Sequence, residues 1–230
     1  MAEITEQLDK MRRAYDAGAW DEIVDQAEVC RNCSIPADQM IEVLTILATA
    51  YYNIGDDYQR TGTDIKKIRY YIDSAEKCLA DASKLISECD FSNWIRINNL
   101  FVLTFWQSGQ KDRAENTLGS ILEVLKNNDH INKAPTLLVM AKLLRSGHKL
   151  PRYMNTLYTA YQEAKKRDDD LSAAEALYYC AEATCRLWGN YQKARELYQH
   201  ALDHYTSYGE KTGRIISYRI RAIEKRLQEI

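Results

Sequence analysis

Proline is scarce in this chain, three in 230 residues, and glycine numbers only nine. With Ala, Leu, Ile, Glu, Lys and Gln abundant, that scarcity favours long helices joined by short turns and leaves almost no room for strand. No apolar run approaches the roughly 18 residues that a bilayer-spanning helix needs. The formal net charge is -2, so the whole chain lacks the positive field that nucleic acid or anionic membrane binding requires; neither is expected as a partner. There is no Gly-rich phosphate loop, no nucleophile elbow and no His-Glu-x-x-His, and no enzymatic activity or cofactor is expected. Met1 to Lys10 holds two Glu and one Asp without an apolar segment, which reads as neither a secretory signal nor a transit peptide. The expected location is the cytoplasm, with the six cysteines (30, 33, 78, 89, 180 and 185) reduced and serving mostly as small hydrophobes.

At this length a core forms without disulfide or metal support. Charge is unevenly spread: residues 1 to 60 hold 12 acidic and 5 basic side chains, whereas the remainder holds 21 acidic and 26 basic. One end is acidic and the other mildly basic, a possible steering field for a partner.

The few glycines carry a repeat. Gly18, Gly55, Gly109, Gly147 and Gly189 each follow an amphipathic stretch, as in RRAYDAG, AYYNIG, LTFWQSG, AKLLRSG and CRLWG, where a left-handed C-cap suits glycine. After each comes a triplet spaced four then three: Ile23, Ala27, Cys30; Ala75, Leu79, Ala82; Ala114, Leu118, Ile121; Tyr153, Leu157, Ala160; Ala194, Tyr198, Ala201. That spacing lines one helix face. Before the glycine, Leu44, Leu47, Tyr51; Thr136, Val139, Leu143; Tyr178, Ala181, Cys185; and Asn98, Phe101, Phe105 line a second helix that packs on the first.

This pattern resembles the tetratricopeptide repeat, a pair of antiparallel helices with small residues at the crossing. The copy closest to it is Glu175 to Thr206, where Tyr178, Gly189, Tyr191, Ala194, Tyr198 and Ala201 stand at the family's aromatic, glycine and alanine positions. The glycines lie 37, 54, 38 and 42 residues apart, longer than the family's period, and Ala181 and Glu182 replace its Leu-Gly pair. Gln7 and Lys10 make the first copy polar, as a terminal cap requires. The resemblance implies an all-α fold: a right-handed superhelix of about five antiparallel pairs, at about 2–33, 37–88, 93–127, 133–167 and 171–207. These form a single domain over 1–230. Helices are expected at 2–17, 19–33, 37–54, 64–88, 93–108, 111–127, 133–146, 151–167, 171–188, 191–207 and 210–229, with an insertion at 56–63. Pro36 and Pro151 fit first turns. In the last helix Ile216, Ile220, Ile223, Leu227 and Ile230 form one stripe, which caps the fifth pair or, alternatively, seams a homodimer.

Two constellations resemble metal or redox sites. Glu196, His200 and His204 are spaced by four on one helix, but the opposite face carries the core residues and the stripe reads as solvated. Cys30 and Cys33 form a Cys-x-x-Cys pair without a second pair at ribbon spacing and near a helix end, which favours packing. His130 and His148 fall in expected turns.

The resemblance further implies that inner helices present a concave binding surface, here Thr45, Thr49, Tyr52 and Asn53; Arg96, Asn99, Leu103, Trp106 and Gln107; Leu137, Ala141, Leu144 and Arg145; and Tyr179, Ala183, Arg186 and Leu187. Aromatics with Arg are the residue types of interface hot spots. At the positions where family members clamp a chaperone carboxylate stand Leu8, Arg12, Ile46, Arg96 and Leu100, of which only Arg96 fits, so that ligand is not expected. The functional expectation is a protein-binding scaffold holding a peptide or helix in its groove; the alternative is a sensor domain that binds a small ligand or oligomerises through its last helix.

Overall fold

The computed structural model describes residues 2–31, 35–62, 64–87, 89–126, 132–146 and 149–230, and of residues 2–4 and 146 only the backbone. Among the described residues there are eleven helices and no strand: α1 Ala2–Ala17, α2 Trp20–Arg31, α3 Ala37–Thr61, α4 Ile65–Ser83, α5 Phe91–Gln107, α6 Lys111–Lys126, α7 Lys133–Ser146, α8 Leu150–Lys166, α9 Asp170–Trp188, α10 Tyr191–Thr212 and α11 Ser217–Glu229. None is long and apolar enough to cross a membrane.

The turns are made by the residues that the local chemistry favours. Gly18, Gly109 and Gly189 have left-handed φ angles of 71°, 81° and 61°, and end α1, α5 and α9. After α9 the Gly189 amide donates to the Cys185 carbonyl at 3.1 Å, and the Asn190 side chain then accepts from the Lys193 amide to start α10. Two helices joined by two residues and packed together must run antiparallel. Asp64, Asp90 and Asp169 cap the starts of α4, α5 and α9 in the same way.

All fifteen triplet residues are buried, from Ile23, Ala27 and Cys30 on α2 to Ala194, Tyr198 and Ala201 on α10. Apolar side chains thus leave water where each second helix meets its neighbours, at roughly 25 cal/mol per Å².

Four boundaries differ from the sequence reading. Gly55 does not end a helix: α3 continues through it to Thr61 and is capped by Gly62, whose φ is 67°. Residues 56–61 hold no breaker, and Arg60 pairs with Asp56 one turn back, so the expected insertion is two further turns of helix. Likewise α10 passes through Gly209 to Thr212 and is capped by Gly213, and α11 starts later, at Ser217. α4 stops at Ser83 rather than 88. The caps expected at Gly147, and the side chains of Cys33, His130 and His148, lie outside the described residues.

The chain divides into two compact units, Met1–Val124 and Leu125–Ile230. In the first, α1 packs on α2, α2 on α3, α3 on α4 and α4 on α5, while α1 meets α3 and α3 meets α5. In the second, α7, α8, α9 and α10 pack in the same succession, α7 meets α9, and α11 lies on α10. Within each unit consecutive helix pairs therefore stack, with α1, α3 and α5 in contact in the first unit and α7 and α9 in the second.

Candidate functional site

In the first unit the row α1, α3, α5 supplies the face on which the expected binding residues sit. Arg12 reaches from α1 to α3 and donates to Glu42 through Nε and Nη2, both at 2.8 Å. This two-point contact fixes the spacing of the two helices. Along α3 the polar side chains bond back to their own helix: Thr45 to the Ile41 carbonyl at 2.5 Å, Thr49 to Thr45 at 2.8 Å, Asn53 to Thr49 at 2.9 Å. Gln107 of α5 donates to the Tyr52 carbonyl at 3.4 Å, and its Oε1 is buried without a hydrogen-bond partner. Trp106 is half-buried, with Lys111 Nζ 5.5 Å from its ring, and Arg96 is exposed. Thr49, Tyr52, Asn53, Arg96, Trp106 and Gln107 keep accessible surface here, whereas Asn99 at 6% and Leu103 at 8% are packed inside.

In the second unit Arg145 and Arg186 are exposed, Ala141 is 1% exposed and Tyr179 9%. Tyr179 is claimed from within: Arg219 Nη2 of α11 donates to its hydroxyl at 3.0 Å, and the Arg219 guanidinium lies 5.6 Å from its ring. Its small remaining surface gives a ligand little to hold.

The residues that organise this unit are three acids of α9 that the sequence reading did not single out. Glu175 accepts from Arg219 at 2.7 and 3.0 Å and from the Tyr205 hydroxyl at 2.7 Å. Glu182 accepts from Arg226 Nε at 3.0 Å, from Arg186 at 2.9 Å and from the Tyr198 hydroxyl. Asp170 meets His204 Nδ1 at 2.7 Å, Ser207 Oγ at 2.7 Å and Lys211 Nζ at 2.6 Å. Burial pushes the Asp170 carboxyl up, yet the hydrogen bonds from Lys211, Ser207 and His204 outweigh it and hold it at about 2. At Glu175 burial is likewise overcome by the Arg219 charge and hydrogen bonds, leaving the carboxyl below its usual value. Glu175 with Arg219, and Glu182 with Arg226, match in the same chain order, so α11 runs parallel to α9. A signal existed: both acids and both arginines are seven apart, two helical turns on one face.

With α11 held this way, Ile216 and Ile223 are buried in a cluster with Ala174, Leu177 and Tyr205, and Ile220, Leu227 and Ile230 pack against it. The isoleucine stripe is thus used inside the unit.

The metal-like constellation is split: His204 turns to Asp170, Glu196 pairs with Lys193 at 2.9 Å, and His200 lies 3.7 Å from Asp203. Among the described residues no three metal-ligating side chains gather. Cys30 is buried with its sulfur 3.9 Å from Met11 Sδ; burial pushes the Cys78 and Cys180 thiols up to about 11 and about 12. Such thiols are poor nucleophiles.

Compared with known proteins, the chain matches no family and no curated relative.

Proposed function

We propose that the protein is a non-enzymatic scaffold, a right-handed tetratricopeptide-like array in the cytoplasm, that holds a partner's peptide or helix against the α1, α3, α5 face of its first unit. The observation that carries this reading is the contact of α1 with α3 and of α3 with α5, which sets the first helices of successive pairs side by side as one surface. On that surface Tyr52, Trp106 and Arg96 keep accessible area. Rigid aromatics and a forked cation are the side chains that most often dominate binding energy. Arg145 and Arg186 serve the equivalent face of the second unit.

Affinity capture followed by calorimetry on the captured partner tests this. Tyr52→Ala and Trp106→Ala are expected to weaken binding by about 2 kcal/mol or more, roughly thirtyfold, with helicity unchanged. Gln199→Ala, on the exposed side of α10, is expected to bind like the parent. Parent-like affinity in both aromatic variants together with a loss at Gln199 transfers the site to the outer helices.

A further inference from the structure

The two extra turns of α3 carry Asp57 and Tyr58 alongside Gly18 and Ala19, the turn that joins α1 to α2. There, within the first unit, they face Trp20, Asp21 and Glu22 at the start of α2 across a cleft of about 410 Å³, with Ile54 also lining it. All three charged side chains of its lining are carboxylates. The positive end of the α2 dipole and the negative end of α3 oppose each other there, so the carboxylates set the sign of the potential.

The aromatic walls are held in place. Trp20 meets Tyr15 edge-on with centroids 5.7 Å apart, and Tyr58 stacks on Tyr71 at 5.7 Å. A cation already uses one of them: Lys67 Nζ of α4 lies 5.2 Å from the Tyr58 ring centroid and 3.4 Å from its hydroxyl. Lys67 is exposed, so a stronger cationic ligand displaces it at little cost. Burial pushes the Asp57 carboxyl up, opposed by Arg60 and reinforced by Asp56, which is the position of a carboxylate that gains from a further positive partner.

We propose that this cleft binds one cationic side chain of a partner peptide, an arginine or lysine seated between Trp20 and Tyr58 and balanced by Asp21, Glu22 and Asp57. The cleft lies one turn past Tyr52 and Asn53 on α3, and its carboxylates and Trp20 are not among the residues proposed for the α1, α3, α5 face. Met1–Val124 holds 21 acidic and 13 basic residues, a net of -8, which draws a basic peptide toward it. A ring face and a carboxylate together suit a weakly hydrated cation better than either alone.

The test uses the full chain and the indole N-H resonances of Trp20, Trp94, Trp106 and Trp188, with Trp20 assigned from a Trp20→Phe spectrum. The probe is a Gly/Ser pentapeptide with one central arginine, and its control carries citrulline, the neutral isostere. The arginine peptide is expected to shift the Trp20 resonance saturably, leaving the other three in place as a check on folding, and the citrulline peptide to shift none. Asp57→Asn is expected to weaken the arginine peptide about threefold or more, and Asp38→Asn, an exposed acid elsewhere on the unit, not to. Lys67→Met, which removes the internal competitor, is expected to tighten it about threefold, while Lys66→Met, the same charge change one residue away, leaves it unchanged. Equal shifts with the two peptides, a Trp20 resonance that does not move, or equal effects of the two lysine substitutions would each overturn the proposal, the last by showing diffuse attraction only.

Discussion

Gly55 sits inside α3, buried, where an added Cβ would meet Gln107 Nε2 and Tyr71 Cβ at 3.5 Å, ordinary contact distances. A helical glycine costs roughly 0.5–1 kcal/mol against alanine, and here nothing requires its freedom. Gly55→Ala is therefore expected to stabilise by about that amount, read as a higher urea midpoint at unchanged slope; a lower midpoint would mean that the α4 and α5 side chains cannot give way. The sequence suggested the opposite role for this residue, because a glycine after an apolar stretch looks the same whether it caps or continues. What decides is the stretch 56–61, which holds no glycine or proline and in which the Asp56–Arg60 pair ties one turn to the next up to Gly62. Asp170 offers a second check. Its folded carboxyl sits at about 2, below the usual 3.8, so its contribution is present above pH 4 and is lost as pH falls from about 4 toward 2. Melting temperatures across that window should fall less steeply for Asp170→Asn than for the parent, and parallel curves would show that the carboxylate gains nothing from its partners.

At the scale of elements, the repeat was legible because burial and spacing are the same fact seen twice. Each four-then-three triplet is buried, and Gly18, Gly109 and Gly189 cap as their context requires. The long-range ionic pairs left only a faint trace, the shared seven-residue spacing of the two acids and the two arginines, because Glu175 and Arg219 lie 44 residues apart and nothing local links them. That is why Tyr179, placed on a binding face by analogy of register, turns out to be taken by α11. The pair also predicts its own energetics. Arg219 and Glu175 are less than one-fifth exposed, so Arg219→Met leaves a part-buried carboxylate without its partner and is expected to destabilise by about 2–3 kcal/mol. Adding Glu175→Met should recover most of that loss in a double-mutant cycle. Additive losses would show that the two side chains act independently.

For the molecule as a whole, charge segregates at the boundary between the units: Met1–Val124 carries -8, and Leu125–Ile230, with 12 acidic and 18 basic residues, carries +6. The two nearly cancel, which is why the net charge of -2 describes neither. At pH 7 and low ionic strength the protein is expected to be retained by both anion and cation exchangers and released from both by salt at about 0.2–0.5 M, where screening shortens the reach of each field to a few ångström. Passage through the cation exchanger without retention would mean that the basic residues of the second unit are too dispersed to act together. The sequence disclosed the asymmetry but drew its border at residue 60.

The parallel pairing of α9 with α11 also sets an order of events as the chain is made. α9 leaves the ribosome carrying Glu175 and Glu182 on the face it will later bury, and the partner set of each acid is complete only when its arginine arrives 44 residues behind it. Until Arg219 and Arg226 emerge, Glu175 is left with the Tyr205 hydroxyl and Glu182 with Arg186 and the Tyr198 hydroxyl, and water fills the remaining places. The thirteen-residue helix α11 thus acts as a latch on α9, and a chain without it exposes an unsealed row of tyrosines and carboxylates.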